Sequence, residues 1–180
     1  MKMFLIRTVS LAAGALALAG CATRGVQTPA DVPLALRAPA GQSAYAVALA
    51  AGVQIYECAT KPNDPTAWAW VFRGPEAALT DLAGRSVGKH YAGPSWESLD
   101  GSVVVGQVKA SDPGPNASAI PWLLLTAKST DGQGLFAQTA SIQRVQTVGG
   151  VAPAEACDAA NAKQVARVPY TATYYFYRVG

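Results

Sequence analysis

Charge is scarce in this 180-residue chain. Asp, Glu, Lys and Arg together make up 14% of it, 14 basic against 11 acidic residues, for a formal net charge of +3. The basic residues are scattered, so the clustered stripe that a nucleic-acid binder needs is missing. Histidine occurs once, as His90, and cysteine three times with no Cys-x-x-Cys pair. That poverty excludes an ordinary zinc site and a thioredoxin-like redox pair. There is no Gly-x-Ser-x-Gly elbow, and any Ser-His-Asp chemistry has only His90 to draw on. No apolar run reaches the length of a membrane-crossing helix, since the longest, Thr8 to Gly20, would span about 20 Å against a hydrocarbon core of ~30 Å. No metal and no cofactor is expected.

What is present is first of all an export signal. Lys2 and Arg7 precede an apolar or small stretch that ends in Leu18-Ala19-Gly20-Cys21. This is the order of a secretory signal: positive start, apolar middle, small residues at the cleavage point. Leu-Ala-Gly-Cys resembles a bacterial lipobox, which predicts removal of residues 1–20 and lipidation of Cys21, with palmitate among the acyl groups. More than one acyl chain holds a protein stably on a membrane. Ala22 rather than Asp follows the cysteine, which favours the outer membrane, with the domain in the periplasm or at the cell surface. Removing Lys2 and Arg7 leaves 12 basic against 11 acidic residues, so the mature chain is close to neutral.

Residues 21–40 form the lipidated N-terminus and a stretch punctuated by Pro29, Pro33 and Pro39 without an aromatic residue. Pro-rich segments favour extended backbone, so it reads as a tether. The alternative is that Val32-Pro33-Leu34 packs on the domain as an edge segment. Residues 41–180 read as a single domain, a length that suits one core. Once Cys21 is assigned to lipid, Cys58 and Cys157 remain, and an even remainder in an exported protein predicts one disulfide.

The domain is predicted to be mainly β, a single antiparallel sandwich or barrel-like unit of seven or eight strands with at most one or two short helices. Val53–Cys58 alternates apolar and polar, and Trp68, Trp70 and Phe72 share one face at period two. Val103–Val108 is β-branched, and Trp122–Thr126 is nearly continuously apolar, as in a strand covered on both faces. Asp131–Gly134 supplies turn residues, after which Leu135–Thr147 reads as one long strand that forms a hairpin with the segment before it. Thr171–Val179 closes the chain as a further strand. Ala44–Ala51 fits helix or strand, and the Ala-rich Glu155–Val165 predicts one short helix.

Five blocks stand in order: Gly52–Cys58, Val87–Glu97, Asp100–Ser102, Ile120–Leu125 and Ile142–Gly150. On these blocks the chain resembles the domain of unknown function 3455 family, secreted proteins of bacteria and some fungi, over about residues 32–178. The resemblance implies one exported domain with cysteines at the positions of Cys58 and Cys157, and it implies no activity. Some fungal relatives carry a malate dehydrogenase label. Gly132-x-Gly134-x-x-Ala137 nominally fits the dinucleotide fingerprint, but it falls in a predicted hairpin turn, where no helix N-terminus would hold a pyrophosphate.

The candidate catalytic set is His90, Glu97 and Asp100, gathered with Trp96 within thirteen residues and flanked by turn residues. Read functionally, it is a loop whose imidazole and carboxylates transfer protons in a cleft. Read structurally, Glu97 and Asp100 accept backbone N–H bonds and Trp96 fills the core. Arg144, facing away from Val145, is a candidate partner for Glu97 or Asp100. Candidate ligand-binding rings are Trp68, Trp70, Trp96, Tyr175 and Tyr177, which would stack on a sugar or grip a small apolar molecule if they are not core. The expectation is therefore a membrane-anchored envelope protein serving as a binding or structural module. The runner-up is an envelope hydrolase centred on His90.

Overall fold

Alternation of apolar and polar residues continues well beyond the short segments that announce it. In the computed structural model, which describes residues 25–180, eight antiparallel strands run in sequence order and close on themselves as a barrel. They are β1 (Gln42–Lys61), β2 (Asp64–Thr80), β3 (Ser86–Tyr91), β4 (Ser95–Ser98), β5 (Val103–Asp112), β6 (Trp122–Asp131), β7 (Ser141–Gly149) and β8 (Val165–Val179). The first and last strands pair over most of their length, from Gln42 opposite Val179 to Glu57 opposite Val165. Closure leaves no open sheet edge, the hazard of a long, apolar, Ala-rich strand such as β1.

An eight-stranded barrel has room for its own side chains and for one small ligand. Here one wall is made of small residues. Ala46, Ala48 and Ala50 of β1, Ala77 of β2 and Ala172 of β8 face Trp96, Tyr174, Phe136 and Phe176 in one buried cluster. This explains why Ala44–Ala51 is strand, since its alanines make space for rings contributed from elsewhere. At Gly52 the approach of β1 to β2 is so close that a Cβ would collide with the Glu76 carbonyl oxygen.

The outer face of β6, β7 and β8 is covered too. Val32 and Leu36, the latter in a 3-10 turn (Leu34–Leu36), pack on Trp122, Leu124, Val145, Tyr175 and Tyr177. The amide of Gln143 donates to the Leu36 carbonyl at 2.7 Å, and the Tyr177 hydroxyl donates to the Gln143 side-chain oxygen. Residues 32–36 are thus a strap laid over the sheet, with Leu34 exposed between the buried Val32 and Leu36.

Three expectations are corrected. The long strand from Leu135 begins only at Ser141, because Phe136 turns inward and plugs one end of the barrel. Its turn is held by Asp100, which accepts from the Leu135 N–H, and by the Ser102 hydroxyl, which accepts from the Phe136 N–H. The helix predicted at Glu155–Val165 is reduced to a 3-10 turn (Ala159–Asn161) capped by Asp158. The disulfide from Cys157 to Cys58 ties this stretch to β1, and β8 starts already at Val165. The His90 block is no loop: it is the β3–β4 hairpin, with His90 directly opposite Trp96. The predicted signal segment and Cys21 lie outside the described residues.

Candidate functional site

The end of the barrel away from Phe136 is hollow. A cavity of about 440 Å³ opens there, at the low end of the roughly 300–1000 Å³ of small-molecule sites. Register brings its lining together. Leu123 of β6, Arg144 of β7 and Tyr174 of β8 stand opposite one another in turn, so all three point inward. From the other side, Ala77, His90 and Trp96 do the same across β2, β3 and β4. Phe72, Pro75, Pro94, Val108, Ile120 and Leu125 supply apolar wall. Phe72 is 51% exposed at the rim and lies 5.5 Å from Tyr56, whose hydroxyl donates to the Gly150 carbonyl.

His90 is 2% exposed. Its ring stacks on Trp96 at 4.4 Å, and Tyr174 meets it edge-on at 5.0 Å. Nδ1 lies 2.7 Å from the Ser95 carbonyl oxygen, which can only accept, so Nδ1 carries the proton and donates. Burial holds the imidazole pKa down at about 3, opposed by the Ser95 bond and aided by the Arg144 charge. The ring is therefore neutral at ordinary pH.

A pH dependence follows. Because folding depresses this pKa, the stability from neutral His90 is fully present above pH 6.5 and is lost as pH falls towards 3. Between pH 6.5 and 5 most carboxylates keep their charge. Unfolding free energy is expected to decline across that interval, approaching about 1.4 kcal/mol per pH unit at its acidic end. His90→Gln should flatten the slope in denaturant titrations at stepped pH. An unchanged slope would assign the titration to other groups.

The two carboxylates of the expected catalytic set are elsewhere. Glu97 stands opposite Lys89 on the other face of the hairpin, where it pairs with the Lys89 ammonium at 3.1 Å and accepts from the Tyr91 hydroxyl. Those two contacts hold its pKa below the usual range. Asp100 sits in the β4–β5 turn at the plugged end, where it accepts from the hydroxyl and N–H of Ser102 and from the Leu135 N–H. These bonds bring its pKa down to about 2, the Ser102 hydroxyl foremost. Both serve structure, and neither faces His90. The anticipated pairing of Arg144 with either is also corrected, since its Nε and Nη2 donate to the Pro121 carbonyl at 3.1 and 2.8 Å.

Of the candidate rings, only Trp96 lines the cavity. Trp68 is half-buried on β2, and Trp70 donates to the Glu155 carbonyl beside the disulfide. Tyr175 and Tyr177 lie beneath the strap. Tyr174 and Gln54, which are not among the candidate residues, belong to the cavity, and their signal was only parity within their strands.

Among the described residues, four buried polar atoms have no hydrogen-bond partner: Gln54 Nε2, Trp96 Nε1 and the hydroxyls of Tyr170 and Tyr174. Three of these residues line the cavity, and Tyr170 lies in the same interior cluster as Tyr174. The two hydroxyls and Arg144 are close enough to influence one another's ionisation, yet no hydrogen bond of good geometry closes between them. Burial raises both tyrosine pKa values above the ordinary range. Among the described residues, no group of three or more His, Cys, Asp or Glu is placed to hold a metal.

A family model described as a protein of unknown function (DUF3455) matches residues 39–178. No curated protein and no solved structure matches the chain.

Proposed function

We propose, from the premise that the chain belongs to the DUF3455 family, that it is a lipid-anchored binding module of the cell envelope, holding a small molecule in the mouth of its barrel. The observation that carries the reading is the cavity lined by Gln54, Trp96 and Tyr174, each with a buried polar atom that no group among the described residues satisfies. Leaving such an atom unpaired costs about 1–3 kcal/mol. Gln54, Trp96 and Tyr174 bring three such atoms together around one hollow, where a ligand's polar atoms would satisfy them.

The envelope part of the reading is supported by the Leu18–Cys21 motif and by the Cys58–Cys157 disulfide, a bond characteristic of exported proteins. A hydrolase built on His90, Glu97 and Asp100 is disfavoured, because His90 gives its proton to a carbonyl and the carboxylates face other ways.

Two measurements test the proposal. Cells given labelled palmitate should label the wild-type protein in an outer-membrane fraction and leave Cys21→Ser unlabelled. An unlabelled or inner-membrane wild type would overturn the anchor or its location. A thermal-shift screen of the mature domain should find small molecules that raise Tm and quench Trp96 fluorescence. A broad screen without any such compound would count against binding.

A further inference from the structure

We propose that the ligand is a small organic anion, a carboxylate on a compact apolar or aromatic body, seated on Arg144. This rests on the binding reading above and names its ligand class.

Arg144 projects into the barrel between Leu123 and Tyr174. Two of its five N–H donors go to the Pro121 carbonyl, which fixes the guanidinium plane without neutralising it. Among the described residues, four ion pairs occur, formed by Arg73, Arg85, Lys89 and Arg167, and Arg144 is in none of them. Its charge reaches Tyr56, His90, Tyr170 and Tyr174, the titratable rings around the hollow. Arg73 also lines the cavity, but Glu57 at 3.0 Å compensates it. Among the described residues, no Asp or Glu lines the cavity at all. A half-buried cation without a counter-ion, in a wall without acid, favours an anion.

The unpartnered groups agree in kind. An indole N–H and an amide NH2 only donate, and a tyrosine hydroxyl can donate. A lining of donors around a guanidinium wants acceptor oxygens carrying negative charge, and a planar carboxylate matches the guanidinium fork. The rest of the lining, including Phe72, Ile120 and Leu125, is apolar, so a bare inorganic anion would leave most of the wall unused. The His90 ring is neutral and brings no competing charge.

The test uses benzoate and cyclohexanecarboxylate as anionic probes, benzamide and benzyl alcohol as neutral counterparts, and inorganic phosphate as a control. Binding is read by calorimetry and Tm shift on the mature domain. The carboxylates are expected to bind at least tenfold tighter than their neutral counterparts and than phosphate. Arg144→Met, close in size, should lose that advantage while keeping a cooperative unfolding transition, and Arg144→Lys should restore part of it. Neutral probes that bind as well as the carboxylates, in wild type and Arg144→Met alike, would overturn the anion assignment and leave the binding reading intact. Phosphate binding as tightly as the carboxylates would also overturn it. If no probe of either kind binds, both readings fall.

Discussion

Replacing Cys58 and Cys157 together by alanine is expected to lower the stability of the domain by up to about 4.7 kcal/mol. The two residues are 99 apart in sequence, and the chain-entropy model assigns that figure to a loop of roughly 100 residues. The effect acts through the unfolded chain. In the folded protein Cys58 is already held beside the β7–β8 connection, exchanging backbone hydrogen bonds with Lys163 and Gln164. For a domain of this size the loss corresponds to a fall in Tm of roughly 10–15 °C. Calorimetry of the double variant against the oxidised wild type measures it. A fall below about 3 °C would show that the unfolded ensemble is compact enough without the bond.

Trp96→Ala is expected to cost about 3–5 kcal/mol, the range for removing a large buried ring. Trp96 is 1% exposed and touches three other rings: His90 in a stack, Tyr174 and Phe176 edge-on. It also sits on the shortest strand, which meets β5 through only three residue pairs, so little else holds that part of the wall. The void would adjoin the mouth cavity, and ligand binding should weaken together with stability. Urea denaturation gives the cost, and Trp96→Phe should recover part of it. A loss under about 1 kcal/mol would mean that the neighbouring rings collapse into the space.

The mainly β architecture was legible because β-branched and alternating segments do not pack as helices. The disulfide was legible from the even pair of cysteines that remains once Cys21 is assigned to lipid. Facing was not. Arg144 and Val145 are on opposite faces of β7, as parity requires, but parity does not say which face is inside. In most sheets the apolar residue would be. Here Val145 is buried on the outside beneath Leu36 and its neighbours, and Arg144 is within the barrel. The same strap hides Tyr175 and Tyr177, so the outer row of rings on β8 is covered, and only the inner row, through Tyr174, reaches the cavity. His90 was misplaced for another reason. Gly93-Pro94 and Asp100-Gly101 read as turns and made the block look like a loop, whereas Gly88 lets β3 run against the Glu97 carbonyl more closely than any side chain would allow.

On the proposed lipid anchor, the segment leading into the strap would set which way the barrel stands. Val26, six residues before the strap, lies by the plugged end, in a hollow it shares with Leu82 and Arg85 of the β2–β3 turn and with Phe136. Cys21 is only five residues earlier, a reach of at most about 18 Å at ~3.6 Å per residue. An acyl group on Cys21 would therefore moor the molecule by its stoppered base, on a short leash. The open mouth would point away from the bilayer. Its ligand would arrive dissolved in water and never leave the aqueous phase on the way in.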